Sequence, residues 1–312
     1  MKVLLTGAAG FLGRNLLLLA PADWEIVALY RGGGEEFPNF VDGLDRERVT
    51  AVRCDLSNVE DVRQLSEKHG CEWESCIYLA AKVDIPWSVR EPDQDLMANT
   101  IPLLNLLRQT RIGKLVYFSS GAVYDGCQGE AAPSTPVRPT LPYAISKLAC
   151  ERYVEAFASR KRTVARFLNV RFFGAYGPFE APHKIYTRLI QSFCVDKQDS
   201  YTIYGDGQNL IDAMYVDDAV EAIRLMLTGE HWNDTVNLAG GHPVTVENLV
   251  RQVASAIHPG IVRIEKRGVA HESNQFWGST KEMQETFGFA PQVALAAGIK
   301  RFRDFQLMGR YR

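Results

Sequence analysis

Short apolar runs alternate along the first half of the chain with longer stretches whose apolar positions recur at helical spacing. "KVLLT" (2–6), "EIVALY" (25–30), "VTAVRC" (49–54), "SCIYLAA" (75–81), "KLVYFSS" (114–120) and "VARFLNVRFF" (164–173) predict strands. Between them, 11–20, 58–68, 93–110 and 142–159 carry the helical pattern. The alternation predicts an α/β fold: a Rossmann-type, doubly wound parallel sheet with helices on both faces. From about 174 the pattern loosens, with Gly, Pro and aromatic residues in "GAYGPFEAP". Helices are predicted at 184–195 and 215–227 and one more strand at 235–240. The expected organisation is a main domain over 1–173, to which the chain returns at about 215–240, and a smaller C-terminal α/β lobe, mainly 174–312.

Composition narrows the class. The chain has 312 residues, 46% hydrophobic and 23% charged, with a formal net charge of −2. That is ordinary globular usage, and no basic stripe points to nucleic acid. No uninterrupted apolar run approaches the ~20 residues of a membrane span. "MKVLLTGAAGFLGRNLLLLA" has the charged start of a secretory signal, but glycines and Arg14-Asn15 interrupt it. Cys54, Cys71, Cys76, Cys127, Cys150 and Cys194 include no Cys-x2-Cys pair, so no metal site is expected. Scattered thiols fit a reducing compartment, and a cytoplasmic location is expected.

The strand 2–6 runs directly into "TGAAGFLG". Gly7 permits a tight turn, Gly10 a close approach of backbone to a pyrophosphate, and Gly13 close packing of helix on strand. The amides of Phe11, Leu12 and Gly13 then open a helix toward the phosphates. Strand, glycines and helix in this order are the context a dinucleotide-binding loop requires. In this fold a carboxylate about 20 residues after the glycines accepts from the ribose of NAD. Here that tip carries Tyr30 and Arg31. A guanidinium pairs with a 2′-phosphate, so the tip favours NADP(H), with NAD(H) left open. Asp55 in "RCDLSN", followed by Leu56, stands at the end of the next strand, near the adenine or as a cap for 58–68.

"FSSGAVY" puts Ser119 and Ser120 at the carboxyl edge of the sheet, where such folds bind ligands. "YAISK" places Tyr143 and Lys147 at i and i+4, on one helix face. A neighbouring ammonium stabilises a phenolate, so Lys147 is expected to lower the phenol's pKa. The phenol then exchanges a proton with an alcohol or carbonyl while Ser120 holds the same oxygen. Beside a nicotinamide this arrangement suits hydride transfer.

With these motifs in place the chain resembles the extended short-chain dehydrogenase/reductases, in the branch that modifies nucleotide sugars. The resemblance spans nearly the whole chain: "TGAAGFLG", "CDL", "LAA" (79–81), "SVREP" (88–92), "FSSGAVY", "YAISK", "AYGP" (175–178), "IYGDGQ" (203–208) and "YVDD" (215–218). It implies that Ser120, Tyr143 and Lys147 are catalytic, and that Asn99 supports the site from the long helix. It places Leu79, Ala80 and Ala81 beside the cofactor, and Gly174 and Arg267 in the lobe that takes the nucleotide sugar; Arg188 on the helix at 184–195 is a further candidate contact there. It also implies a homodimer through the helices at 93–110 and 142–159.

Several positions depart from the family's pattern. Gly121 and Ala122 stand where its 4,6-dehydratases carry an Asp-Glu pair, which argues against that elimination. Ala122 and Phe179 replace the Cys and His of its bifunctional epimerase-reductases. Gly174 and Ile211 replace an Asn and an Arg near the substrate's diphosphate, so a smaller carbonyl substrate also stays open. Two enzyme readings follow: an NADPH-dependent reductase of a 4-keto sugar nucleotide, favoured by Arg31, and an NAD-dependent 4-epimerase. A non-catalytic NADP sensor is the rival from another class, since fold does not prove activity. His183, His271, Trp87 and Trp277 are read as surface, capping or packing residues.

Overall fold

A computed structural model describes residues 1–32, 34–44, 48–258, 260–268 and 275–309. His271 lies outside the described residues. Five strands, β1 (Lys2–Thr6), β2 (Glu25–Tyr30), β3 (Val49–Arg53), β4 (Glu72–Tyr78) and β5 (Arg111–Ser120), form the first part of a parallel sheet. Val164–Phe172 and Asp234–Leu238 complete it on the β5 side. The order runs β3-β2-β1-β4-β5 and then these two strands, so the direction of winding reverses between β1 and β4. Ligands of such sheets bind outside the strand ends at that switch point.

Both faces of the sheet are covered. Val3 and Leu5 enter one apolar layer and Leu4 the other, because successive strand residues point to opposite faces. On the first face lie α1 (Phe11–Leu19) and, from later in the chain, α8 (Val216–Thr228). On the second lie α3 (Val59–His69), α5 (Pro92–Gln109) and α6 (Pro142–Ala156). Proline at the first position starts α5 and α6, where its fixed φ and missing N–H carry no penalty.

The lobe has its own core. Tyr186, Leu189 and Ile190 of α7 (Ile185–Ile190) pack with Leu249 and Val253 of α9 (Val246–Ile257) and with Ile299 and Phe302 of α11 (Leu295–Leu307). Beside them the strands Ser200–Tyr204 and Arg263–Arg267 pair in parallel. No helix of the described residues is long and apolar enough to cross a membrane.

Differences from the sequence-based elements have local causes. The strand expected to reach Ala81 ends at Tyr78, since Thr6 Oγ1 accepts from the Leu79 and Ala80 amides at 3.1 Å each. The helix expected over 142–159 loses α geometry after Ala156 and ends at Arg162, whose φ is +56°. Two short helices went unread: α2 (Glu36–Asp42), and α4 (Ile85–Arg90), where Asp84 accepts from the Trp87 amide at 2.9 Å. The cap of α3 is Asn58, not Asp55.

Candidate active site

The glycine loop is built as a cradle. Gly7 has φ +67°, and a Cβ there would lie 2.8 Å from the Ala80 nitrogen. A Cβ on Gly13 would come within 2.6 Å of Ala8 and of the Gly7 carbonyl, so α1 packs this closely only with glycine. Gly10 is the N-cap of α1 and makes no side-chain cap. The first-turn amides at Phe11 and Leu12 therefore face outward at the positive end of the helix, and a pyrophosphate fits them.

The neighbouring tip differs from a bare cation. Tyr30 is half-buried, its ring centroid 5.1 Å from that of Phe37. Arg31 is exposed. Burial works against ionisation of Asp55. The Ser57 hydroxyl and amide and the Arg31 charge outweigh it, and its carboxyl lies below the usual range. Leu56 is buried, and the Leu56 carbonyl accepts from Asn105 Nδ2 at 3.0 Å.

Tyr143, Lys147 and Ser120 meet at the end of β5. Tyr143 is buried at the start of α6, and its amide donates to Ser88 Oγ of α4 at 3.3 Å. Ser120 lies within hydrogen-bonding reach of the phenol, and its Oγ also accepts from the Ala122 amide at 3.1 Å. Lys147 Nζ donates to the Phe118 carbonyl at 2.6 Å and sits 4.6 Å from the centroid of the Tyr117 ring. Asn99 is buried; its Oδ1 accepts from the Lys82 amide at 2.9 Å and fixes the loop after β4 that carries Ala80 and the exposed Ala81.

The expected lowering of the phenol by Lys147 is corrected by this geometry. Burial pushes Tyr143 up to about 12, against the Ser120 hydrogen bond. Burial also brings Lys147 down to about 8. The ammonium is engaged by the Phe118 carbonyl and the Tyr117 ring, so desolvation dominates both groups.

The lobe residues are arranged more loosely. Gly174 has φ +139° and accepts from the Met214 amide at 3.2 Å. Arg188 is exposed and lies 6.0 Å from the Tyr201 ring centroid. Arg267 is exposed and paired with Glu265 at 2.9 Å. Among the described residues no hydrogen bond or ion pair joins either arginine to Ser120, Tyr143 or Lys147. A depression of about 710 Å³ lined by Phe193, Cys194, Ile257, His258 and Leu307 opens elsewhere on the lobe. None of the site residues lines it, and it lacks the groups this chemistry needs.

The geometry agrees with what the chain matches. Residues 3–239 fit the profile described as "NAD dependent epimerase/dehydratase family". The chain belongs to this family. Among relatives in the epimerase/dehydratase family, the UDP-glucose 4-epimerase of Mycolicibacterium smegmatis is 27% identical, over 98% of each chain. The dTDP-glucose 4,6-dehydratase of Streptomyces niveus is 26% identical, over 96% of this chain and 90% of its own. The Thermotoga maritima UDP-glucose 4-epimerase, solved with UDP-glucose, superposes with TM-score 0.85 at 22% identity, covering 99% of this chain and 100% of that one. MoeE5, solved with UDP-glucuronic acid and NAD, gives 0.83 at 25% identity with the same coverage.

Four buried residues of this family member's site were not singled out from the sequence. Ser119 Oγ donates to Glu151 Oε1 at 2.5 Å, and Glu151 pairs with Arg171 at 2.9 Å. Asp95 accepts from Ser146 Oγ at 2.7 Å, directly before Lys147. Glu151 was legible, because it continues the Tyr143–Lys147 stripe by four more residues. Asp95 stands one turn before Asn99 on the same helix and was legible in the same way, whereas Arg171 had no such signal, since its partners lie on other elements.

Proposed function

We propose that the protein is a nucleotide-sugar 4-epimerase that retains NAD. The carrying observation is the Ser120–Tyr143–Lys147 group beside the glycine loop, with no acid–base pair at Gly121 and Ala122 for an elimination. Relatives named as epimerases over nearly their full length support it. An NAD held by its pyrophosphate at the Gly7–Gly13 loop would supply reversible hydride acceptance. Ser120 holds the C4 oxygen of the sugar. Tyr143 takes the hydroxyl proton as the ketone forms and returns it when the alcohol is restored. Lys147, one turn along the same helix face, holds the end of β5 through the Phe118 carbonyl.

The reductase reading rested on Arg31 meeting a 2′-phosphate. Asp55 changes that balance: it lies near enough for the Arg31 charge to contribute to lowering its carboxyl, and a carboxylate there disfavours a phosphate dianion. Relatives named as epimerases and dehydratases also favour the cycle that keeps its hydride. The test is to denature the purified protein and weigh the released cofactor, then incubate the native protein with UDP-glucose. Retained NAD and a C4-inverted product are expected. A protein that carries no cofactor and prefers NADPH tenfold, about 1.4 kcal/mol, overturns this in favour of the reductase.

The same reading includes a homodimer through α5 and α6. Leu96, Met97, Ile101, Ile145 and Tyr153 are exposed on these two helices, an apolar patch that a partner would cover. Met97→Glu combined with Ile101→Glu is expected to give a folded monomer by sedimentation equilibrium, where the parent is a dimer. Arg188, Arg267 and Gly174 are assigned to the nucleotide-sugar side of the site, and a cytoplasmic setting suits the free thiols.

A further inference from the structure

Arg14 is the fourth residue of α1, directly after the glycine loop. Its Nε donates to the Ala9 carbonyl at 3.0 Å. The N–H of the same peptide, on Gly10, donates to the Gly7 carbonyl at 3.0 Å. Both polar groups of the Ala9–Gly10 peptide are therefore engaged, and its plane is fixed. That plane sets where the free amides of the first turn of α1 point.

Three rings surround the guanidinium. Its carbon lies 5.0 Å from the ring centroid of Phe40, 5.6 Å from that of Phe179 and 5.7 Å from that of Phe37. Phe37 and Phe40 come from α2 and stack at 6.0 Å, whereas Phe179 comes from the lobe. Glu36 pairs with Arg14 Nη2 at 2.7 Å, but its side chain is 72% exposed, so this ion pair contributes little. The Arg14 side chain is 14% exposed, and a desolvated guanidinium gains more from ring faces.

Phe179 has φ +66°, in the left-handed region that bulky side chains rarely adopt. Such a conformation persists only where the surroundings over-determine it, and it concentrates at functional sites. Its ring meets Phe40 edge-on at 5.5 Å and Phe305 of α11 at 5.0 Å. The carbonyl of the preceding residue, Pro178, accepts from Asn15 Nδ2 of α1 at 2.8 Å. The following residue, Glu180, is buried and accepts from the Thr187 amide at 2.9 Å and the Thr187 hydroxyl at 2.8 Å, beside Arg188 on α7. One continuous set of contacts thus runs from Ala9 in the loop through Arg14 and Phe179 to α7 and α11.

We propose that Arg14 and Phe179 are positioning residues for the dinucleotide: the lobe's ring clamps the guanidinium, and the guanidinium holds the phosphate loop in its binding conformation. A residue of the lobe thereby sets cofactor affinity, and coupling of this kind runs both ways. The inference rests on the reading that a pyrophosphate sits at the glycine loop. NAD and NADP share that group, so the choice between epimerase and reductase does not enter.

The full-length protein, freed of any bound cofactor, is titrated with NADH and with NADPH. Binding is read from nucleotide fluorescence, and melting by calorimetry. Arg14→Met should weaken the preferred dinucleotide about tenfold or more, and Phe179→Leu about fivefold or more, in the range of coupling between sites. Phe179→Tyr, which keeps the ring, should bind like the parent. The double variant Arg14→Met with Phe179→Leu should bind no more weakly than Arg14→Met alone, because both act through one contact. Val253→Ala, in the lobe core on α9, should lower the melting temperature and leave affinity unchanged. A folded Phe179→Leu protein with parent affinity overturns the proposal, as does a double variant whose losses multiply, or an equal loss in Val253→Ala. Should Arg14→Met not fold, Phe179→Leu and Phe179→Tyr carry the test. A parent that binds neither dinucleotide removes the loop assignment and the proposal with it; a parent that binds while both single variants match it overturns the proposal alone.

Discussion

Tyr143→Phe is expected to lower turnover by about a thousandfold, in the range general acid–base groups contribute, while melting temperature and NAD retention stay unchanged. The ring is buried in the first turn of α6, and the hydroxyl meets Ser120. Removing the oxygen keeps the packing and deletes the only group in the proposed cycle that carries the substrate proton. The parent's pH profile should carry the same signature. The phenol is pushed up to about 12, so the fraction ready to accept a proton grows with pH. Lys147 is brought down to about 8, and above that it loses the charge that binds the Phe118 carbonyl at the end of β5. Rate should therefore climb toward pH 8 and flatten or fall beyond it. Stopped assays with UDP-glucose across pH, beside calorimetry of both proteins, provide the check. Undiminished turnover in the phenylalanine variant removes Tyr143 from the mechanism.

Arg171→Met should be the most destabilising single change near the site. Arg171 and Glu151 are 5% and 0% exposed and bind through two hydrogen bonds, at 3.1 and 2.9 Å. Arg171 Nη1 also donates to the Tyr124 hydroxyl at 2.9 Å and to the Pro133 carbonyl at 3.1 Å. Without the guanidinium, Glu151 is left as a buried carboxylate with Ser119 as its remaining donor. Breaking such a pair from one side costs about 3–5 kcal/mol. For a chain of this size that is a melting shift on the order of 10 °C. The double change Arg171→Met with Glu151→Met should recover much of the loss, since no charge is stranded. A single variant that melts with the parent would falsify the view that this pair holds α6 against the strand Val164–Phe172. Activity should fall with the single change as well, because α6 carries both Tyr143 and Lys147.

The glycine loop, the Tyr143–Lys147 stripe and the strand-end serines were legible because each is a local pattern within one element or its end; that Ser120 meets Tyr143 is a tertiary fact. Asn99 entered through family resemblance alone, and its contact with the Lys82 backbone is a tertiary fact. The tie of Asp95 to Ser146 could not be read, because that hydroxyl is far along the chain on α6. Arg31 was read correctly as a cation at the tip of β2. That β3 pairs beside β2 and sets Asp55 near it is a tertiary fact the tip alone did not carry.

By itself the sequence determined the parallel α/β sheet, and it supplied the glycine loop and the proposed proton-handling group. Periodicity and short spacings encode these, and both survive in one dimension. Only the tertiary structure decided the electrostatics: that Lys147 is engaged by Phe118 and Tyr117, that Tyr143 is raised rather than lowered, and that Asp55 lies near the Arg31 charge. A protonation state depends on burial and on charges arriving from other elements. Those are set when strands and helices from distant parts of the chain pack together, and no local pattern carries them.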